Sequence, residues 1–93
     1  MMNRVKAFLG ITSSVFDEEI QDNIDAALAD MGLTDITNLD TTDPLIYKAV
    51  ASYCAYQHNL AHGNMERAER YKISYDEQKR QLITASNYTT WSE

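Results

Sequence analysis

The sequence has little of what disulfide bridges, membrane spans and secretion signals require. Its 93 residues include one cysteine, one proline and three glycines. A single cysteine cannot form an intramolecular disulfide, so nothing supports an oxidising compartment. No apolar run approaches the roughly 20 residues that a membrane-spanning helix needs. No long apolar stretch follows the N-terminal charges, which disfavours a signal peptide, and we therefore expect an intracellular soluble chain.

Basic residues are also scarce. The chain has 8 lysines and arginines against 14 aspartates and glutamates, which gives a formal net charge of −6. Proteins that hold nucleic acid through its phosphates present clustered lysine and arginine, so this balance disfavours a DNA-gripping protein. The content of 44% hydrophobic and 24% charged residues is typical of a single folded, soluble domain.

The acidic residues are concentrated in one part of the chain. Nine of them lie between Ser13 and Asp43, where there is no lysine or arginine, and the last third mixes acids with bases. We therefore expect one acidic surface and one mixed surface, an asymmetry that suits packing between copies of the chain. Two solvated helix faces would give the same pattern, and the sequence leaves both interpretations open.

The spacing of apolar residues predicts an all-α fold: a small bundle of three main helices plus a short N-terminal helix, with an extended C-terminal tail. The short helix is expected over residues 3–9, and the first main helix is expected to stop at Gly32. Ser14 and Asp17 form a variant capping box, which predicts Ser14 as the cap of that main helix. No linker divides the chain, so residues 1–83 are interpreted as one helical domain and residues 84–93 as a C-terminal arm.

The second and third main helices are expected to form an antiparallel hairpin. Asp43 and Pro44 indicate a helix start, because proline at the first helical position loses no hydrogen bond. The segment up to residue 56 is apolar on nearly all sides, which predicts a buried central helix. Gly63 and Asn64 leave almost no linker before the last helix, which Asn64 caps. On its outer side we expect two acid–base pairs four residues apart: Glu66 with Arg70, and Asp76 with Arg80.

One face of the central helix carries potential metal ligands at steps of four residues: Cys54, His58 and His62. Thiol and imidazole groups could hold zinc there if a further ligand joined them, and Glu66 and Glu69 across the following turn are the nearest candidates. Structural zinc sites normally take ligand pairs from separate elements, and an apolar helix could simply bury Cys54 as a small hydrophobe. We therefore expect no metal and no other cofactor.

Catalysis has equally little support. Beside Cys54 and His58, nothing marks a third orienting group or an oxyanion donor. A core this small leaves little room for a substrate cavity, and the glycines serve as helix ends rather than as a phosphate-binding loop. Four acids dilute the five bases of the last helix, which disfavours a helix-turn-helix reader. We expect neither an enzyme nor a sequence-specific DNA-binding protein.

The C-terminal arm is polar but carries Tyr88 and the chain's single tryptophan, Trp91. Aromatic side chains on a flexible arm suit insertion into a partner's pocket. The alternative is that Trp91 packs back onto its own helices, and the sequence does not separate the two.

Several short motifs are spread along nearly the whole chain. In chain order they are VKAFLGI at residues 5–11, FDEEI at 16–20, IDAA at 24–27, DPLI at 43–46, GN at 63–64, ERY at 69–71 and YD at 75–76. Together they resemble the motifs of small tailed-phage head–tail connector proteins. Most of these positions are helix caps or core residues, so the resemblance lies in their combination.

The resemblance implies a structural head–tail connector, or adaptor, of a tailed bacteriophage or prophage, with no catalytic motif. Such proteins are all-α and assemble as a homo-oligomeric ring, expected to be dodecameric in the virion. The ring docks on the portal protein, a downstream connector or tail protein joins it, and double-stranded DNA passes through the lumen without specific binding. The implied location is the head–tail interface of the virion, reached from the host cytoplasm.

Carried onto this chain, the resemblance singles out three sets of residues. The candidate acidic face, inter-subunit or lining the lumen, comprises Asp17, Glu18, Asp22 and Asp25. The candidate inter-subunit basic residues are Arg67, Arg70 and Lys72. The candidate portal-contacting arm contains Tyr88 and Trp91. The alternative function is a small dimeric helical regulatory or protein-binding module without a virion role.

Overall fold

The structure, a computed structural model, describes residues 2–32 and 44–84 of the chain. It contains four α-helices: α1 (Met2–Leu9), α2 (Asp17–Asp30), α3 (Pro44–Ala61) and α4 (Met65–Thr84). No strand occurs in these two ranges, which confirms the predicted all-α bundle of three main helices and a short N-terminal one. Across the same ranges, each helix is too short or too polar to cross a membrane. Tyr88 and Trp91 of the predicted arm lie outside the described residues.

The central position in the bundle belongs to α3. Its buried residues lie on nearly all sides of the helix, as the apolar composition predicts: Ile46, Ala49, Val50, Ala51, Ser52, Cys54 and Ala55. The other three helices all pack on α3, whereas the backbones of α2 and α4 do not approach each other closely. The outward faces of α2 and α4 are therefore separate surfaces of the molecule.

The buried residues of α1 and α2 are all apolar. Val5 of α1 is fully buried, and so are Ile20 and Ala27 of α2, with Ile24 between them almost fully buried. Steps of four and three residues place the three α2 side chains on one face of the helix. The opposite face of α2 is left to its polar and acidic residues.

The predicted capping box at the start of α2 is wrong. The helix begins at Asp17, its cap position is Phe16, and no side chain caps it. Ser14 contributes its backbone carbonyl, which accepts a hydrogen bond from the Asp17 N–H at 3.1 Å, while the Ser13 hydroxyl accepts one from the Val15 N–H. The serines therefore form a turn ahead of the helix, and the three acids of its first turn favourably oppose the helix dipole.

The predicted hairpin of α3 and α4 is confirmed. Gly63 has a φ of +81°, the left-handed conformation that favours glycine after a helix. Asn64 caps α4 as predicted, because its Oδ1 accepts a hydrogen bond at 3.4 Å from the backbone N–H three residues on. Ala68, Tyr75 and Leu82 are buried along the inner side of α4. The outer side of the helix, by contrast, carries exposed residues such as Arg67, Arg70 and Ile73.

Candidate functional site

The outward side of α2 carries an acidic surface. Glu18, Asp22 and Asp25 are exposed, and their spacing places them along one side of the helix. The side chains of Glu18 and Asp22 have no hydrogen bond or ion pair with the described residues, and Asp25 accepts a hydrogen bond from Gln21 at 3.0 Å. These three carboxylates, here called the acidic face, form a negative surface that no cation of the described chain neutralises.

Asp17, the fourth acidic residue of the predicted set, faces α1 instead. Its Oδ1 lies 2.7 Å from the Nζ of Lys6, and both side chains are partly buried. The pair connects the end of α1 to the start of α2, so Asp17 is already neutralised within the chain. It is therefore not part of the acidic face.

The three basic residues of the predicted set do not share one surface. Arg67 and Arg70 lie almost one turn apart on α4, whereas Lys72 lies about 140° around the helix from Arg67. Arg70 donates to Glu66 and Lys72 donates to Asp76, each at 3.1 Å. The Arg67 side chain has no partner within the described ranges. Arg67 and Arg70 are called the basic face below, and Lys72 is separate from it.

One of the two predicted ion pairs on α4 is confirmed, the pair of Glu66 with Arg70. The other two predicted partners pair differently: Asp76 binds Lys72, and Arg80 donates to Glu77. All three pairs are well exposed to solvent, so each contributes little to stability.

A groove runs between α3 and α4 beside the basic face. Its lining residues are Leu45, Lys48, Arg70, Ile73, Ser74, Glu77, Gln78 and Gln81. Leu45 and Ile73 expose apolar surface there, with Ile73 at 65% exposure. The Oε1 of Gln78 is buried and has no hydrogen-bond partner among the described residues. Exposed apolar side chains within a charged rim are typical of protein-binding surfaces.

The start of α2 meets the end of α3 at Glu19, His58 and His62, here called the Glu19–histidine cluster. The Oε1 of Glu19 lies 3.2 Å from His58 Nδ1 and 3.5 Å from His62 Nε2. The Phe16 ring packs edge-on against both imidazoles, with centroid distances of 5.3 and 5.1 Å. Sequence spacing identified the two histidines but missed Glu19, because the packing of α2 on α3 brings that carboxylate to them.

Cys54 is not part of this cluster. Its side chain is fully buried in the core, and this burial raises the pKa of the thiol to about 12. The uncharged thiol packs as a small hydrophobe, which is one of the two interpretations that the sequence left open. The predicted additional ligands, Glu66 and Glu69, also lie outside the cluster.

The other end of α2 is connected to α4 through Asp30. The Tyr75 hydroxyl donates to Asp30 Oδ2 at 2.5 Å, and Lys79 Nζ lies 3.1 Å from the same oxygen. The hydrogen bond from Tyr75, aided by Lys79, lowers the pKa of Asp30 even though partial burial acts in the opposite direction. Burial and the hydrogen bond to this carboxylate raise the pKa of Tyr75. Asp30 is thus an anchor of α2 and not a free surface charge.

We expect Asp30→Asn to lower the free energy of unfolding by about 1 kcal/mol at neutral pH, because a charge-assisted hydrogen bond and an ion pair are lost together. The folded state holds the Asp30 pKa below its ordinary value of 3.8, so this contribution is present above that value. It is lost as pH falls through the lower folded-state pKa. Urea unfolding near pH 7 and near pH 2 measures the difference between variant and parent, which should shrink in acid.

The matched control for this variant is Asp22→Asn, which removes an exposed carboxylate of the same helix. It should change the free energy of unfolding by less than about 0.5 kcal/mol at either pH. Equal losses in the two variants would contradict the anchoring role of Asp30.

Comparison with known protein families gives a match over most of the chain. A family model described as "Phage connector protein" matches residues 1–89. Comparisons with curated proteins and with solved structures give no match. The matched range includes all four helices, both charged faces and the Glu19–histidine cluster. Because this match confirms the resemblance carried by the short motifs and covers nearly the whole chain, the protein belongs to the family of phage connector proteins.

Proposed function

We propose that this protein is the structural head–tail connector of a tailed bacteriophage or prophage, and that its copies form a ring. The family match over residues 1–89 is the observation that carries the proposal. In this role the ring docks on the portal protein, a downstream connector or tail protein joins it, and double-stranded DNA passes through to the tail. The role is structural rather than catalytic, and its place is the head–tail interface of the virion.

A ring requires two different and complementary surfaces on each subunit, because a heterologous contact repeated by rotation can close on itself. The acidic face of α2 and the basic face of α4 have opposite charge and lie on helices whose backbones do not approach each other closely. The groove beside the basic face adds the exposed apolar side chains of Leu45 and Ile73. We propose that the acidic face of one subunit contacts the basic face and groove of the next subunit, in the dodecameric ring that the resemblance implies.

Passage of DNA requires a channel wall that does not hold phosphates. The net charge of −6 suits such a wall, because carboxylates directed at the lumen repel the DNA backbone weakly and allow it to slide. Acidic residues that the next subunit leaves uncovered would supply this property. On the basis of its sequence alone, we propose that the C-terminal arm with Tyr88 and Trp91 contacts the portal protein.

Native mass spectrometry and negative-stain imaging of the purified chain, with and without portal protein, test ring formation. We expect ring-shaped particles of dodecameric mass, at least when the portal is present, because docking adds contacts that favour the assembled state. Portal protein alone is the control for particles that the portal itself forms. A persistent monomer or dimer in the presence of portal would contradict the connector role and favour a dimeric regulatory module.

A further inference from the structure

We propose that Glu19, His58 and His62 form a binding site for a divalent transition-metal ion of the zinc class. Two imidazole nitrogens and one carboxylate oxygen are a donor set that zinc uses in proteins, with a fourth position left for water. The three ligand atoms lie within 4.8 Å of one another. They come from α2 and, far away in sequence, from the last turn of α3 and the residue after it, so a bound metal ion would connect separate elements of the fold.

The distances from Glu19 to the two histidines fit tetrahedral coordination. Bonds of about 2.0–2.1 Å at tetrahedral angles separate neighbouring ligand atoms by about 3.4 Å. The separations of Glu19 Oε1 from His58 Nδ1 and from His62 Nε2 are 3.2 and 3.5 Å. The two imidazole rings lie beside each other, 4.3 Å apart between centroids. A metal ion can therefore take up these atoms with only small side-chain movements.

The surroundings give the cluster one closed side and one open side. Phe16 packs edge-on against both imidazoles and limits the orientations that the rings can adopt. The side chains of Glu19 and His62 keep 34% and 42% exposure, so an ion can enter from solvent and retain a water ligand. The site is thus partly preorganised and accessible.

A bound ion would fasten the first turn of α2 to the end of α3. These elements belong to different parts of the chain, so the unfolded chain does not present the three ligands together. Binding to the folded state alone raises stability by mass action. The proposed consequence is a metal-dependent gain in the stability of the bundle, independent of whether the chain assembles as a ring.

Thermal unfolding of the full, metal-free and untagged chain with added zinc chloride tests the proposal. Zinc at about 100 times its dissociation constant should raise the unfolding midpoint by roughly 10 °C. Magnesium should give no shift, because it prefers all-oxygen ligands. The chain has only two histidines, so the imidazole nitrogen resonances report on the cluster alone, and both histidines should respond to zinc.

Variants separate this site from the other ligands in the chain. His58→Gln, His62→Gln and Glu19→Gln should each weaken zinc binding by at least about tenfold in a chelator competition. Glu69→Gln and Cys54→Ala are the controls and should retain the parent affinity. The proposal is overturned if zinc moves neither the unfolding midpoint nor the histidine resonances, a result that leaves only a hydrogen-bonded cluster. Zinc binding that survives the histidine variants but is lost in Cys54→Ala would overturn it equally.

Discussion

Replacement of Ile20 with alanine is expected to lower the free energy of unfolding by about 2–5 kcal/mol. The Ile20 side chain is fully buried where α2 packs on α3. Truncation removes buried apolar surface and leaves a cavity that the neighbouring side chains fill only in part. Small domains are stable by only about 5–15 kcal/mol, so the loss is a large share of the total. Urea unfolding followed by far-ultraviolet circular dichroism measures it.

The matched control is Ile73→Ala, the same change at an exposed position of α4. Ile73 is 65% exposed, so its truncation should change the free energy of unfolding by less than about 0.5 kcal/mol. Both variants must be compared at concentrations where the chain is monomeric, because assembly adds concentration-dependent stability. A loss below about 1 kcal/mol for Ile20→Ala would show that α2 is not anchored through this side chain.

Features with a local physical cause could be predicted from the sequence. The second main helix is apolar on nearly every side, and the structure accordingly buries it as α3. Gly63 followed by Asn64 provides a left-handed residue and then a cap, so a tight hairpin between two helices follows from two adjacent residues. These signals depend on neighbours in the chain and not on distant contacts.

The start of α2 shows where local signals fail. A serine followed three residues later by an acid fits a capping box, yet the helix begins after Phe16. The Phe16 ring packs against His58 and His62, more than 40 residues away along the chain. A contact of this kind has no counterpart in the sequence around Ser14, so a local pattern could not predict where the helix begins.

The structure splits the predicted acidic set and the predicted basic set for similar reasons. Part of this split could have been predicted from the sequence. Asp17 precedes Ile20 by three residues and Ile24 by seven, which places it on the buried side of α2. The same geometry separates Lys72 from Arg67. The partner of Asp17 could not be predicted, because Lys6 reaches it only through the packing of α1 on α2. The approach of Glu19 to the histidines of α3 depends on tertiary packing in the same way.

The double variant Arg67→Glu with Arg70→Glu reverses both charges of the basic face. It is expected to weaken the proposed ring assembly by at least about 100-fold. Like charges placed against each other across an interface cost several kcal/mol, and each 1.4 kcal/mol is tenfold in affinity. The fold should be retained, because the Glu66–Arg70 pair is well exposed and contributes little to stability. Native mass spectrometry at low salt gives the ring population, and circular dichroism confirms that the helices remain.

The opposite change, Glu18→Lys with Asp22→Lys, makes the acidic face positive and should weaken assembly by a similar factor. The combination of the two double variants restores the parent net charge of −6 and again places opposite charges in contact. We expect this variant with four substitutions to recover most of the assembly that either double variant loses. If the acidic face instead lines the lumen, Glu18→Lys with Asp22→Lys will leave the rings intact and will not rescue the arginine reversals.

Net charge alone could also affect assembly, so the rescue needs a control that changes charge without changing the proposed contact. Glu69→Lys with Asp76→Lys adds the same positive charge to α4, outside the acidic face. Combined with the arginine reversals, it also restores the net charge of −6, yet it leaves the acidic face opposite two new glutamates. Ring formation should then stay lost. Recovery with the α2 lysines but not with the α4 lysines requires the two faces to touch, because long-range attraction would respond to both equally.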